Sequence, residues 1–405
     1  MTRVKIPKPS WVAAALALSG LLFAGTAAAQ SAPKEIKLGQ TMPYSGPASA
    51  YGTIGKVEQA YFQKVNDEGG VNGRKINLIS LDDGYSPPKA VEQVRKLVEQ
   101  DEVLALFQTL GTPSNTAIHK YVNAKKVPHL FLATGATKWN DPKNFPWTMG
   151  FNLGYQTEGQ IYAKYLLKNK PNAKIAILYQ NDDYGKDVLK GVKDGLGAKA
   201  SSMIVKEATY EVSDPTVDSQ ILTLKASGAD TFINITTPKF GAQAIRKVYD
   251  SGWKPLHIVN NVSASIGSVL TPAGLDKSEG VVTVQYYKDA DDPRWKDDPA
   301  MLEWRAFMAK YYRDGNVHDG SNIYGYIAAQ TMVQVLKQCG NDLSRANIMK
   351  QAANLKNFKQ SLLLPGIVIN TSPTDFAPVE QAQLARFNGK QYVLFGEVLG
   401  GEAAN

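Results

Sequence analysis

From Ile36 to about residue 262, short runs of β-branched and aliphatic residues alternate with stretches of helical period. A chain written this way builds βαβ units, and repeated βαβ units make a parallel sheet with helices on both faces. The first series reads as strand IKLGQT (36–41), a helix with Ile54, Val57, Tyr61 and Val65 on one face, strand INLISLDD (76–83), and a helix with Val91, Val94, Leu97 and Val98 aligned. Strand VLALF (103–107) follows, then a helix beginning at Pro113 with Ala117, Ile118, Tyr121 and Val122 inward, then strands PHLFLA (128–133) and WTMGF (147–151).

The series restarts at Gly154. Strands are expected at KIAILYQ (174–180), MIVKEATYE (203–211), TFINIT (231–236) and HIVNNV (257–262), separated by helices, the first of these capped by Asp182 or Asp183. After GVVTVQYY (280–287) come long helices at about 294–313 and 319–338, then a tail with strands GIVIN and QYVLFGE. The late helices should cover the first lobe and the tail should return to the second. The expected organisation is residues 30–152 plus 281–350 in an N-terminal lobe and 153–280 plus 351–405 in a C-terminal lobe. Several crossings between lobes make a hinge with few freedoms.

The first 29 residues stand apart. Arg3, Lys5 and Lys8 precede the apolar run WVAAALALSGLLFAG and an A-x-A site at Ala27 to Ala29, the pattern of a cleavable secretory signal. The apolar run is shorter than the roughly 20 residues of a membrane span, so export to the periplasm as a soluble monomer is expected. Removing the signal leaves 376 residues with 42 Lys and Arg against 37 Asp and Glu, a net charge of +5 compared with +8 for the whole chain. That charge is mild and unclustered, which argues against nucleic acid as a partner. The mixed-sign stretch KDADDPRWKDDP (288–299) reads as a solvated loop without calcium-loop spacing. The lone Cys339 excludes an intramolecular disulfide and reads as a structural thiol.

Catalysis requires a nucleophile, a base and an orienting group within reach of one another. The four histidines, His119, His129, His257 and His318, neighbour no Ser or Cys in such an arrangement, and G-x-S-x-G, H-E-x-x-H and a P-loop are all missing. No metal or cofactor is expected, and no enzyme. What recurs instead, at the carboxyl ends of the first-lobe strands, is loops of small hydroxyls, Gly and Pro: TMPYSGPASAYG (41–52), TLGTPSN (109–115) and LATGAT (132–137, with Thr134). Ligands sit beyond those ends in open parallel sheets. Thr112 as cap and Pro113 at the first helical position would leave early helix N–H groups facing an anion, and Gly111 lets a guest approach the backbone. Tyr44, Tyr51, Tyr155 and Tyr184 lie nearby in sequence and offer apolar faces with a polar tip.

Five strings, IKLGQTMPYSGPASAYG, NDEGGVNGRKINLISLDDGYSPPKAVEQVRKLVEQDEV, PHLFLATGAT, KIAILYQNDDYGKD and ADTFINITTPKFGAQAIRKVYDSGW, in this order and spacing, resemble the branched-chain amino acid binding proteins of bacterial ABC importers. The resemblance implies a type I periplasmic binding fold, two α/β lobes with three crossings, and a solute enclosed between them for an inner-membrane ABC permease. By the same resemblance Gly111 and Thr112 would donate to a ligand carboxylate, and Ala133, Gly135 and Ala136 would offer backbone groups to its polar end. Tyr51 and Tyr184 would cover its side chain, and Thr237 or Pro238 would line the second lobe. The chain departs from the family where an acid usually meets the ligand ammonium, offering Asn260 and Asn261. Asn cannot neutralise an ammonium, so an aromatic or aliphatic carboxylate, or an amide, stands beside an amino acid as the expected ligand, unless an acid from elsewhere such as Asp183 serves. A sensory protein of the same fold is the alternative function, although it would normally continue into a membrane or signalling segment; an amide hydrolase using Ser114 is a third.

Overall fold

The computed structural model describes residues 1–5 and 35–400, so the expected signal segment falls almost wholly outside the described residues. The first lobe runs β1 (Glu35–Met42), α1 (Gly52–Asp67), β2 (Lys75–Asp82), α2 (Pro87–Glu99), β3 (Ala105–Phe107), α3 (Thr112–Ala124), β4 (His129–Leu132) and β5 (Thr148–Gly150). Its strands form an all-parallel sheet in the order β2-β1-β3-β4-β5. The second lobe runs α4 (Tyr155–Asn169), β6 (Ile175–Gln180), α5 (Asp183–Leu196), the short α6 (Ala200–Met203), β7 (Ile204–Tyr210), α7 (Asp218–Ala226) and β8 (Thr231–Ile235). It continues with α8 (Pro238–Asp250), β9 (Leu256–Val259), the single turn α9 (Thr271–Ala273) and β10 (Val282–Gln285). The chain then returns to the first lobe for α10 (Pro299–Tyr311), α11 (Gly320–Cys339) and α12 (Arg345–Ala352), and ends in the second with β11 (Gln381–Phe387) and β12 (Tyr392–Gly400).

The second sheet has the order β12-β11-β10-β9-β8-β6-β7, parallel except for β11 and β12, which add as an antiparallel hairpin on one edge. This is the type I periplasmic binding fold, two doubly wound α/β lobes joined by three crossings at about 151–154, 286–298 and 353–380. Central strands are apolar on both faces because helices cover both: β3 and β8 are buried throughout. α11 lies along α1, and Gly325 makes the approach possible, since a Cβ there would stand 2.6 Å from Val57 Cγ1.

Several expectations are corrected. β10 pairs with β9 and β11, so the second lobe extends to Gln285 and the boundary set at 280 moves to about 286. GIVIN is not a strand; Ile369 makes one isolated bridge to Phe358 in a crossing broken by Pro365, Gly366 and Pro373. Strand β11 and helix α12 were not anticipated, because QAQLARF and RANIMKQA carry weak apolar patterns. The helix expected from 294 starts at Pro299, where Asp298 accepts from the Met301 N–H. In α3 the buried face is Ser114, Asn115, Ile118, His119 and Val122, while Ala117 is exposed and Tyr121 half-buried. The stretch 288–299 is only partly solvated: Lys288 and Asp292 are buried, and Lys288 pairs with Asp298 at 2.7 Å. Cys339 is buried, and burial pushes its thiol up to about 11.

Candidate functional site

The lobes meet across a cavity with about 580 Å³ of empty space, its open mouth included, the size of a site for a small molecule. Most of its wall follows the carboxyl end of a parallel strand, the position at which an open α/β sheet leaves a crevice. On the first lobe Tyr51 follows β1, Tyr85 follows β2, Leu110 to Thr112 follow β3 and Ala133 follows β4. On the second, Tyr184 follows β6, Thr237 follows β8, Asn261 and Val262 follow β9, and Tyr286 and Tyr287 follow β10. Asn152 on the first crossing, Tyr155 at the start of α4, Ile54 in α1, and Ser321 and Tyr324 in the first turns of α11 complete the lining.

Local chemistry explains how these side chains are set. Asp82, at the end of β2, accepts from the backbone N–H groups of Tyr44 (3.0 Å) and Gly84 (2.9 Å), which ties the loop carrying Tyr51 to the one carrying Tyr85. Burial pushes its carboxyl up, but bonds from the Ser45 hydroxyl, the Gly84 and Ser45 N–H groups and Lys89 outweigh it, and the group lies at about 2. Gly111 has φ +98°, a conformation that a side chain resists, and a Cβ there would stand 2.7 Å from Tyr85 Cε2. Asp182 is the cap of α5, accepting from Tyr184 N (3.0 Å) and Gly185 N (3.2 Å), and so fixes Tyr184. The Tyr184 hydroxyl donates away from the cavity, to Thr236 O (2.9 Å) and Asn260 Oδ1 (2.7 Å), leaving its ring as wall, 5.1 Å from the Tyr155 ring.

Of the eleven residues singled out in the sequence, Tyr51, Gly111, Thr112, Ala133, Tyr155, Tyr184, Thr237 and Asn261 line this cavity. Thr134, Gly135 and Ala136 do not; they face a separate cleft beside the hinge together with Trp139 and Phe376. The reason is a bend after β4: Gly135 O accepts from Tyr155 N at 2.7 Å, and the loop leaves the cavity there. Thr134 still acts behind the wall, its Oγ1 2.6 Å from Thr112 Oγ1. Nor is Thr112 the cap of α3; Gly111 occupies the cap position and Thr112 the first helical one. The Gly111 N–H is engaged by Ala133 O at 3.3 Å and the Ala133 N–H by Thr109 O at 3.1 Å, whereas among the described residues no acceptor holds the Thr112 N–H. Tyr44 and Asp183 lie outside the cavity: the Tyr44 hydroxyl meets Ser80 Oγ at 2.6 Å, and Asp183 pairs with Lys138 at 2.6 Å on the rim. Pro238 and Asn260 are likewise absent from its wall.

Sequence reasoning missed Tyr85, Asn152, Tyr286, Tyr287, Ser321 and Tyr324. It also missed Glu158, which stands behind Asn261. Its Oε1 accepts from Asn261 N and from the Tyr162 hydroxyl, each at 2.6 Å. Burial raises this carboxyl to about 7 against the lowering effect of those bonds.

The lobes are drawn together around the cavity. The Tyr51 hydroxyl donates across the cleft to Val262 O at 3.0 Å, and Ser265 Oγ donates to Asp319 Oδ1 at 2.8 Å. On the rim the Thr137 N–H and hydroxyl donate to Asp187 Oδ2 at 2.7 and 3.0 Å, and Lys138 pairs with Asp183. Two hinged α/β lobes closed over a small internal cavity define a solute-binding protein of the two-lobed type.

Comparison with known proteins agrees. The family described as Periplasmic binding protein matches residues 35–391, and the chain belongs to that family. A Leu/Ile/Val-binding protein homolog 7 of Brucella suis is 24% identical over 80% of this chain and 81% of its own length. Among solved structures, a branched chain amino acid ABC transporter protein from Thermus thermophilus with bound valine has a TM-score of 0.81 at 16% identity, covering 91% of this chain and 97% of its own. A fatty acid ABC transporter substrate-binding protein from Thermomonospora curvata has a TM-score of 0.77 at 23% identity, covering 91% and 93%. At such identities the structural likeness speaks for the fold.

Proposed function

We propose that the protein captures a small carboxylate-bearing solute between its lobes in the periplasm and delivers it to an ABC permease, without breaking a bond. The observation that supports this most is the inter-lobe cavity itself, walled from both lobes and bridged by Tyr51 to Val262. Closure over a guest changes the outer surface of both lobes at once, which is a signal that a permease can read. Within the cavity the free Thr112 N–H at the start of α3 takes the carboxylate, since a helix N-terminus favours negative charge. The rings of Tyr51 and Tyr184 then cover the apolar part from opposite lobes. No histidine lines the cavity among the described residues, and Ser114, the candidate nucleophile of a hydrolase, is buried outside it.

The relative named for Leu, Ile and Val binding, the neighbour with bound valine and the fatty acid ABC transporter neighbour support solute capture as the common activity. Secretion by the N-terminal signal and a monomeric state belong to the same reading; among the described residues no helix is long and apolar enough to cross a membrane. A thermal-shift screen of small acids, amino acids and amides tests it. A guest at a hundred times its dissociation constant adds about 2.7 kcal/mol to stability, and a hit should also contract the protein in small-angle scattering. A screen without hits, on protein from which mass spectrometry releases no guest, would remove the proposal.

A further inference from the structure

The chemistry of the cavity wall narrows the guest further, on the reading just given that this cavity holds a solute. None of its seventeen lining residues is Asp, Glu, Lys, Arg or His, and seven are tyrosines. We infer that the guest is a small aromatic carboxylate carrying no ammonium group.

Two observations lead there. The first is the balance of donors and acceptors. Polar groups free to meet a guest include the Thr112 N–H and the Tyr286 hydroxyl, neither held by an acceptor among the described residues, and the Asn152 amide N–H₂, whose Oδ1 is occupied by Tyr324 at 2.5 Å. These donate, and donors suit carboxylate oxygens. The amide acceptor on offer is Asn261 Oδ1, left over because Asn261 Nδ2 donates to Val284 O at 2.7 Å. An ammonium needs three acceptors and, in a closed cavity, a counter-charge, without which its desolvation is uncompensated.

The second is that the acids behind the wall are already committed. Glu158 Oε1 is held by Asn261 N and Tyr162, Asp182 caps α5, and Asp319 caps α11 while accepting from Ser265. None of the three lines the cavity. A carboxylate alone therefore finds its partners here, and an α-amino acid leaves one end unpaired. The tilted Tyr155–Tyr184 pair, ring centroids 5.1 Å apart, with Tyr51 and Tyr85 opposite, presents ring faces and edges that favour another ring over an alkyl chain.

The test uses matched guests in titration calorimetry on the full mature chain: 3-phenylpropanoate against L-phenylalanine, and 4-methylpentanoate against L-leucine. The aromatic acid should bind, its amino acid counterpart on the order of 100-fold more weakly or worse, and the branched alkyl acid more weakly than the aromatic one. Equal or tighter binding of either amino acid overturns the inference and leaves solute capture standing, as does an alkyl acid that binds better than the aromatic one. Failure of all four overturns the inference; solute capture then falls only if the protein also carries no guest when purified. A substitution gives an independent reading. Asn261→Asp places a charge at the cavity wall, and it should weaken 3-phenylpropanoate at least about tenfold while improving L-phenylalanine. Thermal unfolding of the guest-free variant checks that it is folded; a folded variant with both affinities unchanged contradicts the assignment.

Discussion

Tyr51→Phe removes one hydroxyl and nothing else from the cavity wall. That hydroxyl donates to Val262 O at 3.0 Å, joining the turn before α1 in the first lobe to the segment after β9 in the second. With the lobes apart, both groups meet water, so the bond contributes only to the closed form. A protein hydrogen bond contributes about 0.5–1.5 kcal/mol net, and leaving the half-buried Val262 carbonyl without its donor brings the loss to about 1–2 kcal/mol. Closure is the binding-competent state, so apparent affinity falls by the same factor as the closed population, roughly five- to thirty-fold at 1.4 kcal/mol per tenfold. The loss should appear in the dissociation rate, because encounter with the open cleft is unchanged. Stopped-flow fluorescence with the best guest from the screen measures both rates, and unfolding of the guest-free protein should shift by less than about 1 °C. If affinity changes less than twofold, the bridge does not contribute to closure. If the guest-free protein loses as much stability as the complex, the bond is structural and the reasoning fails.

The remaining expectations concern the loop, the rim and acid stability. Gly111→Ala must hold a side chain at φ +98° with its Cβ 2.7 Å from Tyr85 Cε2. Strain of about 1–3 kcal/mol should lower the melting temperature by several degrees and displace Tyr85 enough to abolish guest binding; calorimetry of both properties checks it. Asp187→Ala, which removes the acceptor of the Thr137 N–H and hydroxyl, should weaken binding about three- to tenfold through faster dissociation. Lys138→Ala breaks a pair whose side chains are 37% and 54% exposed, so its effect should be under about threefold and vanish at high salt, as affinities at two ionic strengths would reveal. Burial holds His129 and His257 at about 3 and His119 at about 4, so the unfolded chain takes up these protons first and their contribution, complete above the ordinary histidine value, is lost as pH falls. Burial raises Glu158 to about 7 and Asp83 and Asp289 to about 6, and these contribute in the opposite sense, gaining as pH falls toward 4. Urea midpoints should therefore vary little from pH 6.5 to 4.5 and drop steeply between about 4 and 3, where His129 and His257 and the carboxyl of Asp82, held low at about 2, distinguish the two states. A steady decline from pH 7 would contradict that balance.

Residues whose role follows from their own neighbourhood could be read from the chain. Ile54, Val57, Tyr61 and Val65 declare a helix face by period, Asp182 precedes a helix that it caps, and Gly111 interrupts the junction of a strand and a helix where a backbone approach is wanted. These are local facts, set by steric limits on φ and by which side of an element meets water; Ala133, Thr237 and Asn261, which also line the cavity, were named through the family resemblance instead. Thr134, Gly135 and Ala136 missed it because a bend after β4, set by the bond from Tyr155 N to Gly135 O, turns them toward the hinge. Tyr286, Tyr287, Ser321 and Tyr324 carry no local mark of function: they reach the wall because the chain crosses between lobes at 286–298 and lays α11 against α1. The order of elements, and hence the fold, was written in hydrophobic period. The absence of charge from the cavity wall was not, because it depends on which side chains, far apart in the chain, closure of the lobes leaves facing the same small volume.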